Sequence, residues 1–144
     1  MIKIICIGKL KERYLIEAIE DYKKRINKYH KIDIIEILDS NIETEKELIK
    51  KKINSKDYII TLEIEGQQLN SMELSKKIEK IFITNPNITF IIGGSEGLHQ
   101  EIKEISNYKL SFSRLTFPHG LFRLILLEQI YRSFKIINNE TYHK

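Results

Sequence analysis

The sequence predicts an α/β fold, a parallel sheet flanked by helices, and two observations carry that reading. Short apolar, β-branched runs alternate with longer stretches of helical periodicity along the whole chain, the arrangement that builds βαβ units. The strand-like runs are apolar at successive residues rather than at every second one, as strands covered on both faces require.

Ile2 to Ile7 is the first such run and ends at Gly8. Lys9 to Tyr29 sets Leu15, Ile19, Tyr22, Ile26 and Tyr29 at three- and four-residue spacing, the stripe of an amphipathic helix. Ile32 to Leu38 reads as the second strand, and Glu43 to Ile53 as a charged, weakly amphipathic helix. After the turn Ser55-Lys56-Asp57, a third strand runs from Tyr58 to Ile64 and closes at Glu65-Gly66. Ser71 is placed to cap a helix reaching Ile83 with Leu74, Ile78 and Ile81 inward, and Asn85-Pro86-Asn87 breaks it. A fourth strand, Ile88 to Ile92, runs straight into Gly93-Gly94-Ser95-Glu96-Gly97. Gln100 to Ser106 forms a short helix, Tyr108 to Phe112 the fifth strand, and Pro118 suits the first turn of a long final helix. With no repeat, low-complexity segment or linker, residues 1–144 read as one domain.

Composition bounds the function without choosing it. A chain of 144 residues with 42% hydrophobic and 31% charged residues is ordinary for a soluble globular protein. No apolar run approaches the roughly 18 residues of a membrane span, and the apolar start is too short for a signal peptide. The single cysteine, Cys6, rules out an internal disulfide and a cysteine metal cage; a cytoplasmic location fits. The net charge of +4 permits an anionic partner without requiring one, because lysine is abundant alongside isoleucine and asparagine. Arginine is scarce, and Arg114, Arg123 and Arg132 all fall in the last third.

In open parallel sheets, ligands bind beyond the carboxyl ends of the strands. Three such ends stand out: Thr61 to Gly66, Ile91 to Gly97 and Ser111 to Phe117. Glycines at 93, 94 and 97 allow a tight backbone and close approach to a ligand, although a plain βα turn has the same signature. The spacing matches neither a dinucleotide fingerprint nor a phosphate-binding loop. On the final helix Glu128, Arg132 and Lys135 share a polar face, while Arg123 falls among Leu127, Ile130 and Phe134 with His119 one turn before it. An arginine there needs a partner or an anion, unless its stem packs and its head reaches water. Leu121 to Leu127 is apolar around much of the cylinder, which asks for a second burial partner, most simply another copy of the chain. The tail, Asn138 to Lys144, has no core pattern and defaults to disorder. It nevertheless sets Tyr142, His143 and Lys144 side by side, a group suited to stacking on a base and meeting phosphate. His30 and His99 stand apart from any cluster and are expected at the surface. Grouped His, Asp and Cys are missing, so neither a metal site nor a catalytic triad is expected.

These motifs resemble those of the bacterial ribosomal RNA large subunit methyltransferase H family, of the SPOUT class. The likeness rests on Ile7 to Lys11, Thr61 to Gly66, Ile91 to Leu98, Leu110 to Ser113, Leu115 to His119, Arg123, Glu128 to Arg132 and Tyr142 to Lys144, in that order from end to end. It implies a C-terminal trefoil knot, a homodimer, and methyl transfer from S-adenosylmethionine to N3 of a pseudouridine in a stem-loop of large-subunit (23S) rRNA, on assembled ribosomes. Carried over by position, it implies a cofactor site at Leu62, Gly93, Phe112, Ser113, Arg114, Leu115, Thr116 and Phe117. The catalytic and RNA side would comprise His119, Arg123, Tyr142 and His143, with Arg132 and Lys144 on RNA and the tail reaching across the dimer. The chain departs from the pattern in being shorter around residues 39–55, in Gln67 where lysine is common, and in Gly120 where a bulkier residue is usual. Methylation of another RNA such as tRNA, a ribosome-associated factor without catalysis, and a nucleotide-binding regulator are the competing readings.

Overall fold

The computed structural model describes residues Met1–Lys144. Five strands alternate with five helices: β1 (Ile2–Ile7), α1 (Arg13–Asn27), β2 (Ile32–Ile37), α2 (Ile42–Lys52), β3 (Asp57–Gln68), α3 (Ser71–Thr84), β4 (Asn87–Ile92), α4 (Gln100–Ile105), β5 (Tyr108–Ser111) and α5 (His119–Ile137). The strands form one sheet in the order β2-β1-β4-β3-β5, and every neighbouring pair is parallel.

The uninterrupted apolar runs have a direct structural cause. Along β1, Ile2, Ile4 and Cys6 point into one core cluster, while Ile5 and Ile7 point into another. In β4, Ile88, Phe90 and Ile92 face the first cluster and Ile91 the second. The larger core is closed by α1, α3 and α5, with α5 lying between the other two. The smaller is closed by Ile49 of α2 and Ile102 of α4. This two-sided cover is the layering expected when right-handed crossovers run in both directions along a sheet.

A buried polar group ties three strands together at the opposite end from their carboxyl termini. Lys3 Nζ lies 2.7 Å from Asp57, whose side chain is fully buried. Thr89 and Asn87 each donate to the Asp57 carboxylate at 3.0 Å, and the Asn54 backbone N–H does so at 3.1 Å. Burial pushes the Asp57 carboxyl up, but these donors outweigh it and hold it below the ordinary aspartate value.

Several element boundaries differ from the sequence expectation, each for a local reason. The first helix begins at Arg13, not Lys9, because residues 9–12 form a loop in which the Leu10 N–H donates to Glu36 across the sheet end. β3 does not stop at Ile64 but continues to Gln68 through an irregularity in which both Leu62 and Gln67 face Leu110. Gly66 permits this, since a Cβ there would lie 2.7 Å from the Lys109 carbonyl oxygen. Asn70, not Ser71, caps α3, and it forms a full capping box with Glu73. Pro118 is the N-cap residue of α5 rather than part of its first turn. The two histidines expected at the surface are both engaged. His99 caps α4 and pairs with Glu43 at 2.8 Å, while His30 stacks on Phe82 with ring centroids 4.2 Å apart.

Candidate active site

The three strand ends singled out in the sequence converge. Beyond the carboxyl ends of β3, β4 and β5 lies a cavity of about 450 Å³, within the size range of small-molecule sites. Of the residues assigned to the cofactor, Leu62, Gly93, Phe112, Ser113, Leu115, Thr116 and Phe117 line it, and Arg114 does not. His119 lines it as well.

Each wall is held by local chemistry. The β4–α4 loop turns back on itself, the Gly97 N–H donating to the Gly94 carbonyl at 3.0 Å with Gly97 at φ +76°. Gly93 presses against the returning chain so closely that a Cβ would lie 2.7 Å from the Gly97 carbonyl carbon. The loop after β5 is braced by its serines: Ser111 Oγ donates to the Ser113 carbonyl, and Ser113 Oγ accepts from the Leu115 N–H at 3.0 Å. Phe122 meets Phe112 edge to face, with centroids 5.2 Å apart, and Phe117 at 6.0 Å, giving an aromatic wall. The irregular part of β3 contributes Glu63, Ile64 and Glu65, and Lys103 comes from α4. The Thr61 hydroxyl donates to Glu63 at 2.6 Å and fixes that carboxylate. The sequence marks Thr61 to Gly66 as a strand end but not which of its side chains enter the cavity, since that depends on the register shift against β5, and Lys103 has no sequence signature.

Arg123 is buried, and two of its guanidinium nitrogens are paired while Nε has no acceptor. Nη1 donates to Glu36 at 2.7 Å, and Nη2 donates to the Gly8 carbonyl at 3.3 Å. Its head therefore does not reach water. Burial raises the Glu36 carboxyl, but hydrogen bonds from Arg123 and Leu10 and the charges of Arg123 and Lys9 bring it below the usual carboxylate range. The out-of-place arginine in the sequence has its counterpart in a carboxylate that interrupts the apolar run of β2 at Glu36.

The tail is folded, not free. Tyr142 meets Tyr131 edge to face with centroids 5.0 Å apart, and the Arg132 guanidinium lies 4.8 Å over its ring. Arg132 also bonds Glu128 through Nε at 2.9 Å and approaches His143 Nδ1 at 3.1 Å. Burial, with Tyr22 alongside, pushes the Tyr142 phenol up to about 12. Arg132 stands nine residues beyond Arg123, or about 13 Å along the helix. The fold therefore brings His119 and Arg123 to the strand ends and gathers Arg132, Tyr142 and His143 at a separate cluster further down α5.

A parallel sheet with its helices on both faces and a loop-built cavity at the strand ends describes a small-molecule-binding α/β enzyme class. Residues 1–143 match the family model described as "Predicted SPOUT methyltransferase". A solved structure of "a probable methylase family protein from Haemophilus influenzae Rd KW20" superposes with a TM-score of 0.61 over 99% of this chain and 70% of that one, at 11% identity, a likeness of fold. Curated relatives include the ribosomal RNA large subunit methyltransferase H of Clostridium beijerinckii, 47% identical, and that of Enterococcus faecalis, 46% identical, each aligned over 99% of both chains. A relative from Methanococcus maripaludis reaches 52% over the same coverage. The chain belongs to the ribosomal RNA large subunit methyltransferase H family of SPOUT methyltransferases.

Proposed function

We propose that this protein transfers a methyl group from S-adenosylmethionine to N3 of a pseudouridine in a stem-loop of large-subunit (23S) rRNA on assembled ribosomes, working as one cytoplasmic domain over residues 1–144 that pairs into a homodimer. The observation that carries it is the cavity at the strand ends, formed by the residues that match the family's cofactor motifs. No helix is long and apolar enough to cross a membrane, and no group of His, Cys, Asp or Glu is placed to hold a metal ion. The C-terminal trefoil knot belongs to the same reading.

The cavity suits the cofactor by its own features. Its volume and its aromatic wall accommodate a flat heterocycle on a polar tail, and Glu63, Glu65 and Lys103 offer charge for the tail. Leu62, Gly93 and residues 112–117 would hold it. The bound cofactor supplies an activated methyl on a sulfonium centre. What remains for the protein is to orient the acceptor nitrogen in line and to accept its proton. His119 stands at the cavity, where its imidazole can take that proton. Tyr142 and His143 follow α5, fold onto Tyr131 and Arg132 and do not line the same protomer's cavity, so the part of Tyr142, His143 and Lys144 on RNA and catalysis is played at the partner's site, with Arg132 anchoring the tail. Half-exposed Leu121 marks an apolar face for the second copy.

Arg123 fixes the loop after β1 against β2 and α5. Arg123→Ala is expected to lower turnover at saturating ribosomes by about 100-fold, the scale of an ångström-sized misplacement. Arg123→Lys should rescue little, because one ammonium cannot serve both Glu36 and the Gly8 carbonyl with fixed fork geometry. Full turnover by Arg123→Ala would remove Arg123 from the site. For the function itself, mass spectrometry of rRNA nucleosides from a deletion strain should show loss of methylpseudouridine, restored by the wild-type gene. An unchanged level sinks the assignment.

A further inference from the structure

A second cavity, of about 380 Å³, adjoins the first and shares Gly94, Ser95 and His119 with it. It is lined by the loop after β1, Lys9 included, and by Tyr14, Asp39 and Arg123. Neither the cofactor motifs nor the tail account for it.

Four features distinguish it from a packing defect. It opens on the same partition as the cofactor cavity, which is where a two-substrate transfer needs its acceptor. Tyr14 is 70% exposed and belongs to no aromatic pair, so it offers a free face for stacking. Arg123, which lines it, is 3% exposed and keeps Nε buried without an acceptor. Asp39 provides a carboxylate acceptor, and Lys9 a cation. An anionic nucleotide with ring N–H groups matches this set: a π-face for Tyr14, an N–H for Asp39 and a phosphate for Lys9. Pseudouridine, whose ring carries N1–H as well as N3–H, offers one N–H beyond the one that must be lost.

We propose that this second chamber receives the acceptor nucleotide, with Tyr14 stacked on the base, Asp39 accepting the ring N–H that is not methylated, and His119 at the boundary where the methyl crosses. Resting on the functional reading above, it adds the residues that select the base. In the reaction the N3–H bond breaks, its proton goes to the base at the boundary, the N3–CH₃ bond forms, and the sulfonium carbon–sulfur bond breaks with its electron pair kept on sulfur.

The test measures methylation of large ribosomal subunits by wild type, Tyr14→Ala and Asp39→Asn, together with S-adenosylmethionine affinity by calorimetry and oligomeric state by sedimentation. Tyr14→Ala should raise KM for subunits about tenfold, as loss of one stacked base requires, with cofactor affinity and oligomeric state unchanged. Asp39→Asn should narrow the preference for subunits that carry the pseudouridine over subunits from a strain that lacks it. If wild type is active and both variants match it in KM and in preference, the chamber assignment is overturned and the functional reading stands. If wild type moves no methyl to large-subunit RNA, the functional reading falls and the chamber with it. A rise in KM that tracks a change in sedimentation also overturns the assignment, because Tyr14 then serves a second copy of the chain.

Discussion

Asp57→Ala is expected to destabilise the protein by about 3–5 kcal/mol, the cost of leaving one member of a buried ion pair uncompensated. The substitution strands the Lys3 ammonium, whose side chain is 10% exposed, and removes the acceptor of Thr89 and Asn87 at once. For a domain of this size the change corresponds to a Tm lowered by roughly 10–20 °C. Urea or thermal unfolding of wild type and variant measures it, and a loss under about 1 kcal/mol would show that water reaches the pair. Replacing both Lys3 and Asp57 by apolar residues of similar volume should recover most of the loss, because the pair's attraction is largely spent on its own desolvation. The pH dependence follows in sign. The folded carboxyl is held below its ordinary value of 3.8, so its contribution is complete above that value and is lost as pH falls through the lower folded value. Acid unfolding of wild type should therefore begin below pH 3.8, and the Asp57→Ala variant should lack that component.

Gly93→Ala is expected to abolish cofactor binding at concentrations that saturate the wild type. A methyl group at this position would sit 2.7 Å from the Gly97 carbonyl carbon, 2.8 Å from its oxygen and 3.1 Å from the Leu98 side chain. Two of those contacts are backbone, so the loop must open rather than repack. A displacement on the order of 1 Å in a wall of the site costs about 100-fold in productive geometry, while the overpacking itself costs about 1–3 kcal/mol in stability. Calorimetric titration with S-adenosylmethionine, beside thermal unfolding of the same variant, separates the two effects. Wild-type affinity in Gly93→Ala would show that the cofactor does not use this loop. Gly94 faces a looser setting, its nearest neighbour being the Ile7 side chain at 3.0 Å, so Gly94→Ala should weaken binding far less.

The contrast between the two glycines also shows where sequence reading stops. Local chemistry determined the strands and helices. β-Branched runs made β1 and β4 apolar on successive residues, and helical spacing made Leu74, Ile78 and Ile81 one face of α3. It also placed the three loops at strand ends, because ligand sites in parallel sheets follow from connectivity. What the sequence could not determine was pairing across long separations. Glu36 and Arg123, 87 residues apart, meet only because β2 lies at one sheet edge while α5 crosses back beneath it. The same holds for the continuation of β3: Glu63, Ile64 and Glu65 enter the cavity because β5 pairs on both sides of the shift.

The α/β class, the loop cluster and the misplaced arginine are thus legible in the residues themselves, since each depends on period, composition or a charge set in an apolar stripe. The tertiary structure decided the rest. It folded the tail onto Tyr131 and Arg132, where composition alone favoured disorder. It placed His119 at both cavities, and it paired Arg123 with Glu36 and the Gly8 carbonyl from two other segments. The physical reason is that backbone preference and amphipathicity are properties of neighbouring residues. A buried charge, by contrast, is stable only beside a counter-charge that the chain delivers from a distant position.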